Sequence, residues 1–495
     1  MTKVDADVIV VGAGNAALCA ALAAREHGAR VIVLEAAPEE ESGGNSRYTA
    51  GLFRIPYAGL EELGEIIPDL SDDEKENTDF GQYTREEFFD DMARVTQYRA
   101  NPDLLEIMVN NAHGTGVWMR SKGVRFLPAY GRQAFKVDGK FKFWGGAHIE
   151  VAGGGPGLVD SLLAAVDTKN IEVLFQTPAK ELITIDSRVS GVVIQTDGKR
   201  QNLSAKAVIL ACGGFEANSE WRTRCLGPGW DLAKVRGTRF NMGDGIRMAL
   251  DIGAVPYGNW SGAHSVGWDR NAPEFGDLAV GDNFQKHSYP FGIIVNANGQ
   301  RFVDEGADFR NYTYARYGRI VLEQPGQFAW QVFDSKVTHL LRDEYRIRQI
   351  TKVEAKTLEE LAKKLDNVDA QEFLNTVNEF NDSVATDLPF NPNVKDGRSS
   401  QSNGVPKSNW ANPLDTPPYE AYAITCGITF TFGGLRIDKE ARVLDTSHQP
   451  MAGLYAAGEL VGGIFYFNYP GGSGLVSGSV FGRIAGDSAG RLTMG

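Results

Sequence analysis

Cysteine is scarce: Cys19, Cys212, Cys225 and Cys426 are the four in 495 residues, and no two form a CxxC pair. That spacing excludes a readable iron–sulfur cluster or zinc site. Cys19, in a predicted helix, and Cys212, at a predicted strand end, read as packed thiols. No apolar run reaches the ~18 residues of a membrane span. The opening MTKVDADVIVVG reads as a folded strand with no charged-then-apolar leader, so a cytoplasmic location is expected. Basic charge is in deficit, with 50 Lys and Arg against 63 Asp and Glu and a net charge of −13. This argues against nucleic acid as a partner. Part of the acid is local, in Glu61 to Asp91, which reads as a solvated connection leading into a helix.

Glycine is in excess, at 57 residues, and it clusters in short runs rather than repeats. Such runs suit backbone that approaches a ligand. The first run is the most informative. Asp7 to Val11 is a β-branched apolar stretch of buried parallel-strand character. Gly12-Ala13-Gly14-Asn15-Ala16-Ala17 follows as a GxGxxA turn, then an alanine-rich helix ending near Gly28, then a strand from Arg30 to Leu34 that finishes on Glu35. Gly12 permits the tight turn, and Gly14 lets a pyrophosphate lie against the amides of Asn15 and Ala16 at the helix N-terminus. Glu35 is placed to accept from ribose hydroxyls.

Two further elements favour FAD over NAD. Ser42-Gly43-Gly44-Asn45-Ser46 offers small side chains and free amides beside a cofactor, and Leu454 to Glu459 is a second strand-to-acid element suited to ribityl hydroxyls. No second GxGxxG unit supports a separate nicotinamide domain. The expected fold is α/β: a Rossmann-like FAD-binding domain with an inserted α+β capping domain that carries the substrate. Residues 1–258 form its first part, with a helical insertion at about 52–145. The capping domain is 259–424, and 425–495 return to the FAD-binding domain. A cleft between the two is the expected ligand site.

The motifs GAGNAA, SGGNS, ACGGF, MGDGIRMALDIGA, IIVNANGQRFVDE, FGGL, LYAAGE and GGSGL occur in one order along nearly the whole chain. In this the chain resembles the flavoprotein superfamily of fumarate reductase, succinate dehydrogenase and 3-ketosteroid dehydrogenases. TREEFFDDMARVT, WSGAHSVGWD, YPFGIIVNANGQRFVDEG with FRNYTYARYGR, and NYPGGSGL are most similar to the tricarballylate dehydrogenase subgroup. The resemblance implies that Gly214, Asp244 and Glu459 contact the cofactor, and that Gly472, Ser473, Gly474 and Leu475 open a final helix beneath the flavin. Succinate dehydrogenase tethers its flavin through a histidine, and SGGNSRYTAG has none, so FAD is expected to be non-covalent.

The superfamily reaction moves a hydride between a substrate carbon and flavin N5, and a proton between the neighbouring carbon and the protein. Arg310 lies within one residue of the spacing at which soluble fumarate reductases keep an acid/base arginine after RFVDE. The competing proton carrier is Tyr469, which stands where those enzymes have a carboxylate-binding arginine. Ketosteroid dehydrogenases have a similar Tyr-Pro-Gly. His264 matches a substrate-binding histidine, whereas the second family histidine is replaced here by Phe430. Arg47, Arg54, Arg236 and Arg239 are basic residues within cofactor-adjacent motifs; any of them could clamp a carboxylate in the bidentate way guanidinium favours, and Arg239 and Arg47 are assigned to the substrate. His287 and Tyr289 lead into YPFG and are expected to line the cleft.

The implied reaction is introduction of a C=C bond beside a carboxylate, as in tricarballylate to cis-aconitate. Its rivals are a ketone or 3-ketosteroid desaturase using Tyr469, a fumarate-reductase-like ene-reductase, and an electron-transfer subunit without its own substrate. With no readable cluster, the expected electron acceptor is a redox partner protein, a quinone or oxygen.

Overall fold

Short apolar runs of Val, Ile and Leu assemble a parallel sheet. In the computed structural model, which describes residues 4–402 and 404–494, strand Ala6–Val11 lies between Val31–Leu34 and the end of Lys199–Leu210. Glu172–Leu174 extends the sheet on one side and Pro450–Ala456 on the other, all parallel. The chain therefore returns at its far end to complete the sheet it began. The first part of Lys199–Leu210 leaves the parallel core and pairs antiparallel with Arg188–Thr196, which pairs in turn with Ala179–Ile185.

Helix Asn15–Glu26 is buried along nearly its whole length and packs against helix Ser473–Met494. Their closeness depends on glycines spaced four apart. A Cβ at Gly482 would collide with the Ala16 carbonyl, one at Gly486 with that of Ala20, and one at Gly490 would stand 2.9 Å from His27 Cβ. These glycines thus serve helix packing rather than ligand approach.

A second sheet is built on the 17-residue strand Tyr419–Leu435. It pairs antiparallel with Pro256–Asp269, Ala329–Asp334 and Lys352–Ala355, and parallel with Lys234–Val235. Strand Tyr419–Leu435 crosses the expected boundary at 424 within a paired stretch, whereas the expected boundary at 258 meets an interruption of the pairing between Gly258 and Ala263. The outermost ends of the expected domains, residues 1–3 and 495, lie outside the described residues. The helical insertion proves mixed. It carries helices Arg85–Val95 and Pro102–Ser121 but also strands of two small three-stranded sheets. Pairing of Leu52–Phe53 and Phe126–Pro128 with Ile149–Val151 supplies one of these.

Candidate active site

One cleft of about 1640 Å³, counting its mouth, runs from the N-terminal glycine turn to the face of the second sheet. Gly12, Gly14, Asn15, Ala16, Glu35, Gly44, Asn45, Ser46, Asp244, Glu459, Gly472, Gly474 and Leu475 all line it. Gly214 and Ser473 do not. Gly214 stands behind the wall, where a Cβ would collide with Glu459 and Thr431. Ser473 is fully buried with its hydroxyl bonded to the Pro470 carbonyl.

The cofactor end fits FAD by its donor set. Gly12 has φ +105°, and a Cβ there would come within 2.5 Å of the Ala211 carbonyl oxygen, so the turn tolerates only glycine. Glu35 accepts from the Ala13 and Ala37 amides, each at 2.8 Å, which fixes both of its oxygens at the cleft wall. Glu459 accepts from the Thr431 amide at 2.7 Å and lies beside Glu216. Glu216 is held by Asn45 and Asn241 at 2.6 and 2.5 Å. Burial and the neighbouring Glu216 charge push Glu459 well above the carboxylate range.

The other end of the cleft gathers groups from six segments. His264, on strand Pro256–Asp269, stands opposite Phe430 in the antiparallel register. Arg236 leaves strand Lys234–Val235 and donates through Nε and Nη2 to Asp282 Oδ1 at 2.7 and 2.6 Å. Asp282 sits in the turn Gly281–Phe284, and His287 follows it. Arg310 opens the turn Arg310–Tyr312. Arg132 and Gln133 arrive from the insertion, in the turn Tyr130–Gln133, and Tyr469 precedes the C-terminal helix. All of these line the cleft, as do Asn311, Tyr314 and Phe430.

Arg310 is buried. Its Nη2 donates to the Arg132 carbonyl at 2.5 Å, Glu344 Oε1 stands 3.8 Å from Nη1, and Nε has no partner within the protein. Burial lowers its pKa from the ordinary arginine value; Glu344 opposes that shift and Arg132 adds to it. Burial also drives both cleft histidines well below 6.5, helped by Arg236 at His264 and by Arg310 at His287, so both rings are neutral. Their Nε2 atoms have no protein partner. Tyr469 is pushed up by burial, and its hydroxyl accepts from the Gly474 amide at 3.0 Å.

Three expected substrate contacts lie elsewhere. Arg239, with 54% of its side chain exposed, pairs with Glu41 at 2.8 Å. Arg47 pairs with Asp160 and donates to the Ser42 carbonyl. Tyr289 is buried off the cleft, with its hydroxyl 2.6 Å from Thr313 Oγ1. Surface and structural partners have claimed all three. Arg54 is likewise structural, binding Gly471 and Gly145 carbonyls, Tyr83 and Asp91. Arg132, Gln133, Asp282 and Gln285 were not anticipated, because YGRQ and GDNFQ carry no pattern. Tyr314 was visible in FRNYTYARYGR but had no role assigned.

Among the described residues no helix is long and apolar enough to cross a membrane, and no group of His, Cys, Asp and Glu is arranged to hold a metal.

Residues 7–476 match the FAD binding domain family. The chain is 30% identical to a probable fumarate reductase of Shewanella frigidimarina, over 97% of this chain and 74% of that protein. Among solved structures, the open conformation of a flavocytochrome c3 fumarate reductase superposes with a TM-score of 0.73 at 26% identity, covering 99% of this chain and 79% of that one. A 3-ketosteroid delta1-dehydrogenase from Sterolibacterium denitrificans shares the fold, with a TM-score of 0.75 at 24% identity over 98% and 99% of the two chains. The chain belongs to the FAD binding domain family and is an FAD-dependent oxidoreductase of the fumarate reductase and ketosteroid dehydrogenase type, acting on CH–CH groups.

Proposed function

We propose that the chain introduces a C=C bond beside a carboxylate, with tricarballylate to cis-aconitate as the specific case. The observation that carries this reading is the convergence of Arg132, Arg236 and Arg310 with two neutral histidines at one end of the cofactor cleft. Guanidinium groups match carboxylates in charge and geometry. A steroid ketone needs neither this density of cations nor two imidazole donors.

FAD, held without a covalent bond, supplies the hydride acceptor when bound. The chain's own residues do the rest. His264 and His287, neutral, offer ring nitrogens to a substrate carboxylate or carbonyl. Arg310 takes the proton from the carbon next to the activating group, and Glu344 behind it stabilises the charged guanidinium afterwards. The N-terminus of helix Ser473–Met494, beneath Gly472 and Gly474, favours negative charge at this end of the cofactor. Phe430 and Tyr469 close the wall and exclude water.

Tyr469 favours a second reading, a ketone desaturase, because its hydroxyl is held at a helix N-terminus and still has its own hydrogen to donate. The reverse reaction, an ene-reductase, uses the same groups. Steady-state assays separate these readings. Holoenzyme is offered tricarballylate, succinate, a cyclohexanone and a 3-ketosteroid with an artificial acceptor dye, and the unsaturated counterparts with a reduced donor dye. Turnover of carboxylates with the acceptor dye supports the proposal; turnover of ketones alone sinks it. The physiological electron acceptor, whether a redox partner protein, a quinone or oxygen, is a separate question from this assay.

A further inference from the structure

The tract TREEFFDDMARVT takes no part in the cofactor end or in the chemistry above, yet it grips the turn that carries Arg310. Thr84 and Glu87 cap each other reciprocally, which fixes where helix Arg85–Val95 begins. Phe88, Met92, Ala93 and Val95 form its buried side. Asp91 and Arg94, three residues apart and so on one flank, reach from that helix to the segment Asp308–Tyr312.

Asp91 Oδ2 accepts from the Tyr312 hydroxyl at 2.7 Å, from the Tyr83 hydroxyl at 2.8 Å and from Arg54 Nη1 at 3.1 Å. Arg94 donates through Nη1 to Asp308 Oδ2 at 2.8 Å, and its guanidinium lies 4.6 Å from the centre of the Tyr312 ring. Lys395 stands 3.6 Å from the other oxygen of Asp308. One helix flank thus holds the turn Arg310–Tyr312 on both sides, at Asp308 just before it and at Tyr312 where it ends. Inside the turn, Asn311 donates to Gln133 and the Gly145 carbonyl, and Asn468 donates to the Tyr312 carbonyl. The Arg310 side chain has less to hold it. It makes one hydrogen bond, to the Arg132 carbonyl, with Glu344 at 3.8 Å and the Trp144 ring at 5.5 Å. A long side chain with one hydrogen bond takes its aim from its backbone.

We propose that Asp91 and Arg94 are positioning residues for Arg310, acting through Tyr312 and Asp308 to set where its guanidinium meets the substrate. The proposal rests on the proton-carrier reading of Arg310. None of Asp91, Arg94, Asp308 and Tyr312 lines the cleft, so their loss acts on the rate of the chemical step and not on substrate affinity.

The test is a double-mutant cycle read by stopped-flow flavin reduction. Tyr312→Phe removes the hydroxyl that Asp91 receives and leaves Asp91 with Tyr83, Arg54 and Arg94. Arg94→Met removes the pair with Asp308, which keeps Lys395, and the charge over the Tyr312 ring. Each change is made in the wild-type holoenzyme and again in Arg310→Ala, with tricarballylate as the reductant. In the wild type each is expected to slow saturated reduction about tenfold, with FAD retained and half-saturation within about twofold. In Arg310→Ala each is expected to slow it by less than about twofold, because the group being positioned is gone. Equal losses in both backgrounds, or no loss in the wild type, overturn the proposal and leave the Arg310 reading standing. Wild-type reduction by Arg310→Ala alone overturns that reading and the proposal with it. If tricarballylate leaves the wild-type flavin oxidised, the carboxylate reading fails, and the cycle is run with whichever compound of the assay above reduces it. Should one variant lose FAD, the other decides.

Discussion

The imidazole of His264 lies stacked on the phenol of Tyr469, with ring centroids 4.6 Å apart and planes 13° from parallel. Tyr314 stands edge-on to the His264 ring at 5.0 Å, and Phe430 sits 6.1 Å from the Tyr469 ring. This aromatic wall fixes the neutral histidine and the tyrosine hydroxyl at the end of the cleft that also holds Arg310.

The two proton-carrier candidates are separable by substitution. Tyr469→Phe keeps the stack and loses the hydroxyl that receives the Gly474 amide. A loss of roughly 10-fold in kcat/KM is expected, in the range of a removed hydrogen bond. Arg310→Ala removes the proposed proton carrier, and kcat is expected to fall by about 100-fold or more. Stopped-flow flavin reduction measures both. Near-normal reduction by the Arg310 variant, with a collapse in the Tyr469 variant, reverses the assignment.

Arg54 and Arg239 were alike in sequence, and the structure separates them. Arg54 is fully buried, and its removal takes one of two arginine partners from Asp91, which keeps Arg94 and two tyrosine hydroxyls, and takes a donor from the Gly471 carbonyl. Arg54→Met is expected to cost about 2 kcal/mol or more in denaturant melts, because a buried charge-assisted network is broken. Arg239→Ala breaks a half-exposed pair with Glu41 and is expected to change stability by less than about 1 kcal/mol, with little effect on KM. A large KM increase for Arg239→Ala would return that residue to the substrate site.

The N-terminal unit was legible because each of its parts has one physical job, from the Gly12 turn to the Glu35 carboxylate. At the other end of the cleft, motifs point to His264, His287, Arg310 and Tyr469, and all four line it. Arg132 and Asp282 escaped because their role depends on a turn from the insertion meeting a turn from the capping segment, and neither turn has a periodic signature. Arg239 misled for the converse reason. An arginine two residues from Gly237 looks cofactor-adjacent in sequence, yet its side chain leaves the cleft and pairs on the surface. Of the two expected domain boundaries, 424 falls within the paired stretch of Tyr419–Leu435, and 258 meets the break in pairing between Gly258 and Ala263.

Stability is expected to depend on pH through three buried neutral histidines. Burial and the Arg54 charge take His148 down to about 3, and His264 and His287 also lie well below 6.5. The unfolded chain then binds more protons than the folded one below about pH 6.5, so stability is full above that value and falls as pH drops toward 3. For His148 alone the loss between about pH 7.5 and 5 is ~2 kcal/mol. Denaturant melts across that range check the sign and size. A His148→Gln variant is expected to show a shallower slope, and an unchanged slope would contradict the assignment of that histidine.

The most direct test of the carboxylate reading is anaerobic flavin reduction by stoichiometric substrate, with the product identified by NMR. Tricarballylate is expected to bleach the bound flavin and yield cis-aconitate, while cyclohexanone and 3-ketosteroids leave the absorbance unchanged. Bleaching by the ketones alone, with tricarballylate and succinate inert, would contradict the account.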